Sequence, residues 1–416
     1  MALTLWAQTA KEEISRNHCL SASNYLAYPG PAQKVLTPAP AGYHPFYISQ
    51  YARHGSRYLT GKDGYTKPMQ TLEKADSDHM LTPTGRTVLE KLRRLDSESR
   101  SRYGELTQLG AEQHHAIAQR LYDRFPEVFA GNADIEAKST TVIRCILSME
   151  NELQQLLVNN PKLNIRHDAS NHDMYYMNYQ ARKLWDQRWP KAVTGVYDQW
   201  VEKHVDPSRV MGRLFKDKSY PGSREKALKL CDQLFDLASI IQDSEIRHDL
   251  SLYDIFDEQD IYSLWEKNNI GWYIEFGHCP LNGAKQPFSQ CNLLRRIIHD
   301  ADSCIATKRP GATLRFGHET MVLPLTCLLG LNGYDRQTSD LDSITAMGWI
   351  NYKVFPMASN VQFVFYRKSP ADNDILVKVL LNENETTLPF RSDKAPYYRW
   401  NDVKAYYLKK MDNAKL

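Results

Sequence analysis

The stretch Tyr51–Arg57 (YARHGSR) places one histidine between two arginines at the end of an apolar run. The residues before it, Phe46–Tyr51, are aromatic and β-branched in the way that a buried strand requires. Gly55 follows the histidine and, having no Cβ, allows a ligand to approach closely. Arg53 and Arg57 each offer a planar fork of donors that matches the oxygens of a phosphate group. A histidine nucleophile between such arginines is suited to moving a phosphoryl group.

A second half of the predicted site lies far along the chain, at His318-Glu319. Several other His–acid dipeptides occur, but this one alone directly follows an apolar strand, Leu314–Gly317, and opens a helix-forming run, Thr320–Leu329. In an open α/β sheet, ligands bind at the carboxyl ends of strands, near helix N-termini. We therefore expect His54 to meet this pair in one site.

Arg144 is the third candidate element. It falls in the first turn of a predicted helix that follows a short strand, where backbone N–H groups and the helix dipole favour an anion. The alternative is a surface arginine that pairs with Ser148, four residues later in the same helix.

The pattern of elements predicts an α/β fold: a three-layer core with a central mixed sheet flanked by helices. Strand and helix patterns alternate in residues 1–164 and 303–416, which we assign to a discontinuous core. Residues 165–302 read as mainly helical and are assigned to a cap insertion that roofs the site. The last two strands, Val361–Tyr366 and Ile375–Leu381, are expected to pair as a hairpin.

Composition excludes several functional classes. With 416 residues and a net charge of +3, the chain has no basic run interleaved with aromatics that would indicate nucleic acid as a partner. No apolar stretch approaches the ~20 residues that span a bilayer. Neither a nucleotide-binding G-x-x-x-x-G-K-[ST] loop nor a G-x-S-x-G elbow is present, and no cofactor is predicted. The expected partner is a small phosphorylated substrate, and the oligomeric state is not predicted.

Two local features concern export and cysteine chemistry. The apolar segment 2–10 is either the end of a trimmed secretory signal, which would make the protein periplasmic or secreted, or a short anchor docking on the body. The seven cysteines include no C-x-x-C pair, so a structural metal is not predicted. Cys279 and Cys291 could form a bridge in an exported protein, and buried free thiols are the alternative. His114-His115 is interpreted as an amphipathic surface pair, because no partner at metal-ligand spacing is evident.

The assembled residues resemble the histidine acid phosphatases, the second branch of the histidine phosphatase superfamily. The resemblance rests on Arg53–Arg57, the segment Gly104–Gly110 (GELTQLG), Arg144 and Gly317–Glu319, and it extends from about residue 40 to 370. The family combines an α/β core with a helical cap. Among its members the chain looks most like the phytases and multiple inositol polyphosphate phosphatases.

The resemblance implies a role for each residue. His54 would be the nucleophile that forms a phosphohistidine, and Glu319 would protonate the leaving oxygen. Arg53 and Arg57 of the RHGSR stretch would bind the phosphate without a metal. Two residues further along the chain, Arg144 and His318, would bind it as well. Because a carboxylic acid must be protonated to act as a donor, an acidic optimum is expected.

Two positions depart from the family pattern and bear on the substrate. Leu59 stands where many members have a proline, and Glu319 stands where many have aspartate. Inositol polyphosphate phosphatases of the family use His-Ala-Glu, so this chain shares their acid but lacks the spacer. Phytate-like inositol polyphosphates are the expected substrate class. The alternatives are a broad-specificity acid phosphatase, an inactive anion-binding protein and, within the superfamily, a phosphate mutase.

Overall fold

The fold was analysed in a computed structural model that describes residues 10–29, 32–220, 222–307 and 309–414. The strands are β1 His44–Arg53, β2 Asp134–Ser139, β3 Asn164–Asp168, β4 Gly311–Gly317, β5 Asn360–Arg367, β6 Leu376–Leu381, β7 Asn384–Glu385 and β8 Tyr398–Arg399. The α-helices are α1 (residues 10–16), α2 Lys62–Ser77, α3 Pro83–Ser99, α4 Gln108–Arg124, α5 Ile143–Asn159, α6 Met174–Met177, α7 Arg182–Asp186, α8 Lys191–His204, α9 Ser208–Leu214, α10 Arg224–Ile240, α11 Glu258–Phe276, α12 Cys291–Thr307, α13 Glu319–Leu329 and α14 Trp400–Asp412.

The strands form one mixed sheet in the order β3-β2-β4-β1-β5-β6-β7, with β8 paired to β6. The pairs β3/β2, β2/β4 and β4/β1 are parallel, and the pairs from β1/β5 onward are antiparallel. The predicted mixed α/β core is therefore confirmed, as is the β5/β6 hairpin.

Helices cover both faces of the sheet, which makes three layers. On one face, Ile48 and Phe316 pack in a buried cluster with α4 and α5. On the other face, Tyr51 and Phe363 join a larger cluster that includes the helices of the central third of the chain. Strands β1 and β4 are buried on both faces, as the central strands of a parallel segment are. Their carboxyl ends therefore lie together in the interior.

The central third of the chain has no strand of the sheet between residue 169 and residue 310, within the part that the structure describes. The predicted start of the cap at residue 165 falls inside β3, which pairs with β2 at the edge of the sheet. Buried side chains of α11 and α12, such as Trp265 and Leu293, belong to the same cluster as Phe363 of β5. Helix α12 therefore packs on β1, and the buried side chains of the segment are continuous with those on this face of the sheet. The assignment of the segment to a cap stays a prediction.

All seven cysteines are free thiols, so Cys279 and Cys291 do not form a bridge. None of the described helices is long and apolar enough to cross a membrane. The apolar segment 2–10 lies, except for its last residue, outside the described residues, and its interpretation as a trimmed signal stays a prediction.

Candidate active site

The register of two adjacent parallel strands brings the two predicted halves of the site together. Arg53, the last residue of β1, is paired with Gly317, the last residue of β4. The next residue on β1, His54, donates its backbone N–H to the Gly317 carbonyl at 3.0 Å. The imidazoles of His54 and His318 consequently lie edge to face, with ring centroids 5.6 Å apart.

Three arginine side chains converge near His54, and in each of them Nη1 donates a hydrogen bond to a backbone carbonyl. Nη1 of Arg53 donates to the carbonyls of Asn24 and Phe355, at 2.5 and 2.9 Å. Nη1 of Arg57 donates to the Tyr58 carbonyl at 2.9 Å.

Arg144 follows the same pattern, since its Nη1 donates to the Gly104 carbonyl at 3.4 Å. Nη2 of Arg53 and the Nε atoms of Arg57 and Arg144 are buried without a hydrogen-bond acceptor among the described residues. Because buried guanidinium N–H groups are costly to leave unpaired, these donors form a site for an anion.

His54 is oriented as a nucleophile. Its Nδ1 lies 2.9 Å from the Gly55 carbonyl, which can only accept, so Nδ1 carries the proton and Nε2 keeps a lone pair. Burial, followed by the charges of Arg53, Arg144 and Arg57, holds the pKa of His54 well below its ordinary value. The imidazole is therefore neutral at ordinary pH, with Nε2 free to attack.

Glu319, in the first turn of α13, is the acid nearest to this nitrogen. Its Oε2 lies 3.1 Å from Nε of Arg53 and 3.9 Å from Nε2 of His54. Burial favours the protonated form, but the charges of Arg53 and Arg57 outweigh it and lower the pKa of Glu319 to about 2. In the free site Glu319 is a carboxylate.

His318 is the N-cap residue of α13 and also faces the nucleophile. Its Nε2 lies 3.4 Å from Oγ1 of Thr140, and Sγ of Cys145 lies 3.9 Å from either ring nitrogen. Burial lowers its pKa to about 4, against the opposing influence of Glu319. A neutral His318 can donate one hydrogen bond to an anion bound between the two imidazoles.

The segment Gly104–Gly110 forms a wall beside the loop that follows β1. The Thr107 N–H donates to the Ser56 carbonyl at 2.9 Å, and the Thr107 side chain caps α4 by accepting from the Gly110 N–H. A Cβ on Gly55 would lie 2.3 Å from the Gly110 carbonyl oxygen, so the two backbones pack too closely for any side chain. This contact explains why a glycine follows the nucleophile.

Gly317 has a similar packing reason. A Cβ at this position would lie 2.0 Å from the hydroxyl of Tyr51, which donates to the Met177 carbonyl at 2.8 Å. A glycine at the end of β4 therefore lets the Tyr51 side chain cross beneath the site.

Leu59, one of the two departures from the family pattern, has a local compensation. Its backbone N–H donates to the Tyr65 hydroxyl at 2.8 Å. A proline has no such N–H. The loop after the second arginine is thus fixed here by a hydrogen bond that it donates to α2, instead of by a proline ring.

All six residues assigned from the sequence meet in this site, which also contains groups that the sequence did not indicate. The Ser148 hydroxyl accepts from the Gly55 N–H at 3.1 Å, so Ser148 contacts the loop rather than Arg144. The Tyr25 ring lies 5.5 Å from the guanidinium carbon of Arg57. Neither residue belongs to a local motif, and only the fold brings them here.

The interpretation of His114 as part of a surface pair was wrong. His114 is fully buried, and its Nδ1 lies 3.0 Å from Oε2 of Glu152, which is also fully buried. The other oxygen of Glu152 accepts from Gln50, which in turn accepts from Gln362. This polar network links α4 and α5 beneath the sheet.

The donor atoms of His54, His318 and Glu319 lie within 4.8 Å of one another, a spacing that a metal ion can use. Three guanidinium groups surround the same space, and their charge opposes a cation. The donor set therefore fits an anion better than a metal.

A family model described as histidine phosphatase superfamily (branch 2) matches residues 51–382. No curated protein matches the chain. Among solved structures, the chain is similar to the Bifidobacterium longum multiple inositol polyphosphate phosphatase in complex with inositol hexasulfate. The identity is 21%, the TM-score is 0.76, and the match covers 93% of this chain and 97% of that one.

Two phytases are also similar in structure. The phytase from D. castellii has 12% identity and a TM-score of 0.71, with 95% of this chain and 86% of that one covered. The Hafnia alvei phytase in complex with myo-inositol hexakis sulphate has 12% identity and a TM-score of 0.52, with 89% and 98% covered. At these identities the similarity establishes the fold.

Proposed function

Because the chain belongs to branch 2 of the histidine phosphatase superfamily, we propose that it hydrolyses phosphate monoesters through a phosphohistidine on His54. The observation that carries this proposal is the set of buried, unpaired guanidinium N–H groups around an imidazole whose Nε2 is free. Such an arrangement binds a tetrahedral anion beside a nucleophile.

In the first step, Nε2 of His54 attacks phosphorus, and the bond from phosphorus to the leaving oxygen breaks. The leaving oxygen takes a proton from Glu319. Arg53, Arg57 and Arg144 neutralise the charge of the transferring group, which is the largest contribution expected for phosphoryl transfer. In the second step, Glu319 takes a proton from water as the water attacks phosphorus, and the bond from phosphorus to Nε2 breaks to release inorganic phosphate.

Because its pKa is low, Glu319 must first obtain the proton that it donates to the leaving oxygen. A phosphate monoester has a second pKa of about 6, so at acidic pH the ester enters the site as a monoanion that still carries a proton. Transfer of that proton to Glu319 is helped by the charge of the bound phosphate, which opposes the arginines that keep the carboxylate ionised. The expected acidic optimum then reflects the ester as well as the enzyme.

For the substrate class, we favour inositol polyphosphates such as phytate. Support comes from the structural similarity to proteins named as inositol polyphosphate phosphatase and phytase. The acid of the His318-Glu319 pair is a glutamate, as in the inositol polyphosphate phosphatases of the family, and this also supports the proposed substrate class.

A broad-specificity acid phosphatase is the second candidate, and one observation favours it. Ile143 and Leu147, which flank Arg144 on α5, are 72% and 45% exposed. Apolar side chains beside a phosphate-binding arginine suit a monoester with an uncharged body better than one with several phosphates.

Release of phosphate from inositol hexakisphosphate and from an aryl phosphate, measured with chelator present, tests both reaction and substrate. We expect turnover without a divalent ion, and its loss in His54→Ala but not in the control His248→Ala, whose histidine is exposed. Brief reaction with labelled substrate should leave acid-labile label on the wild-type protein only. A need for a divalent ion, or full activity of His54→Ala, would contradict the proposal.

A further inference from the structure

A carboxyl group from the central helical segment contacts the catalytic loop directly. Asp243 ends the short 3-10 turn Ile241–Asp243 that follows α10. Its Oδ1 accepts a hydrogen bond of 2.5 Å from the hydroxyl of Ser56, a residue 187 positions away. Ser56 lies between Gly55 and Arg57, so this bond joins the helical segment to the phosphate-binding loop.

The direction of this hydrogen bond is fixed by Gln113 of α4. The Gln113 side chain accepts from the Ser56 backbone N–H and donates to the Ser56 hydroxyl oxygen, each at 2.8 Å. Because that oxygen already accepts from an amide, its own proton points to Asp243. Ser56 is therefore held by the side chains of Gln113 and Asp243, and the Asp243 contact comes from the helical segment.

The second oxygen of Asp243 is unusual. Asp243 is fully buried, and Oδ2 has no hydrogen-bond partner among the described residues. A buried carboxylate is normally paired with a cation or accepts several hydrogen bonds. With a single hydroxyl as donor, the uncharged form of Asp243 is favoured, with its proton on Oδ2.

The charged groups near Asp243 are Arg53, Arg57 and Arg247, and the titratable groups Cys19 and Tyr253 also sense it. The three arginines and the Ser56 hydrogen bond lower the pKa of Asp243, but burial outweighs them and raises it to about 8.

The charges of two of the same arginines, Arg53 and Arg57, also act on Glu319, but the pKa of Glu319 is lowered whereas that of Asp243 is raised. The difference follows from geometry, since Glu319 lies 3.1 Å from Nε of Arg53 whereas Asp243 has no ion pair among the described residues. Two carboxyl groups whose environments separate their pKa values take different roles in a site.

We propose that Asp243 is a positioning residue of the phosphate site, which in its uncharged form holds Ser56 in place and leaves Arg53 and Arg57 to the phosphate. Once ionised, it adds a negative charge that competes with the phosphate for both guanidinium groups. The inference rests on the proposed function, because it requires that the site bind phosphate.

Equilibrium binding of inorganic phosphate, measured by calorimetry at about pH 6 and about pH 9, tests this role without turnover. The wild-type protein should lose more affinity between these two values than Asp243→Asn, which cannot ionise. The difference should be about tenfold, the effect of one pKa unit of coupling between the two anions. The control Asp249→Asn, an exposed acid six residues further on, should follow the wild type.

A second variant, Ser56→Ala, tests the same role of Asp243 in case Asp243→Asn does not fold. Ser56→Ala keeps the carboxyl group but removes the hydrogen bond that lowers its pKa, so the loss of phosphate affinity should move to higher pH. If folded Asp243→Asn and the wild type show the same pH dependence, the inference is overturned while the proposed function stands. Absence of phosphate binding in the wild type would instead overturn the proposed function and this inference with it.

Discussion

Nε of Arg53 lies 3.1 Å from Oε2 of Glu319, which places the assigned proton donor against the most deeply buried cation of the site. This pair keeps the carboxylate in place, 3.9 Å from Nε2 of the nucleophile. It also means that a bound phosphate must share Arg53 with Glu319. Donor and phosphate therefore compete for one guanidinium group, and their protonation states are coupled.

The first prediction concerns the role of Glu319 as donor. Glu319→Gln should slow hydrolysis of an alkyl phosphate by about 10²–10⁴-fold, because the poor leaving oxygen needs a proton in the transition state. An aryl phosphate, whose oxygen leaves without that help, should be slowed far less. The measurement is kcat for both esters at one pH. Equal slowing of the two esters would show that another group is the donor.

The second prediction concerns stability in acid. The pKa of His318 is about 4 in the folded protein, against 6.5 for an ordinary histidine. Between these values the unfolded chain binds the extra proton, so stability is greatest above pH 6.5 and falls as the pH drops toward 4. The loss from this group is about 3 kcal/mol.

Urea denaturation at about pH 7 and about pH 5, without phosphate, measures about 2 kcal/mol of this loss. His318→Gln should show a smaller decrease in the midpoint than the wild type, and the exposed His248→Gln should behave like the wild type. A wild-type midpoint that does not change over this range would mean that His318 is protonated in the folded site.

The third prediction concerns the contact between Gly55 and Gly110. Gly55→Ala places a Cβ 2.3 Å from a backbone oxygen, which forces the loop away from α4 and displaces His54 and Arg57. We expect kcat/KM to fall by about 10²-fold or more, the usual effect of misplacing reacting groups by an ångström. Gly61→Ala is the matched control, since a Cβ there meets nothing within 4 Å. Comparable activity of the two variants would contradict the close packing of the loop.

The sequence predicted the halves of the site that lie at the ends of apolar strands. The runs before Arg53 and Gly317 are buried on both faces and mostly apolar, so both strands and their exits could be identified. Arg144 was identified in the same way, because it lies in the first turn of α5, the helix that follows the end of strand β2. Parallel pairing of β1 and β4 then requires His54 and His318 to be neighbours.

The residues that were missed have no such local signal. Asp243 is ordinary in sequence, and only packing of the helical segment brings it to Ser56. Strand β3 is mostly exposed at the edge of the sheet, so its polar sequence resembles that of a loop. For His114 a signal did exist: it lies three and seven residues before Ile117 and Leu121, on the buried stripe of α4.

The last prediction concerns that buried histidine. Truncation of either member of the His114–Glu152 pair leaves the other buried without its partner. Such a change costs about 3–5 kcal/mol when an ion pair is broken, and about 1–3 kcal/mol when only a hydrogen bond is lost. His114→Ala and Glu152→Ala should therefore both lower the urea midpoint strongly. His115→Ala, which changes the half-buried neighbour, should have a small effect.

Measurements on the double variant, and of activity, distinguish lost packing from the loss of a direct interaction between His114 and Glu152. If the two side chains interact directly, the cost of His114→Ala/Glu152→Ala should be smaller than the sum of the single costs. Glu152 also lies one turn after Ser148, whose hydroxyl accepts from the Gly55 N–H, so Glu152→Ala should reduce kcat as well as stability. Additive costs, or a His114→Ala variant as stable as His115→Ala, would contradict the buried pair.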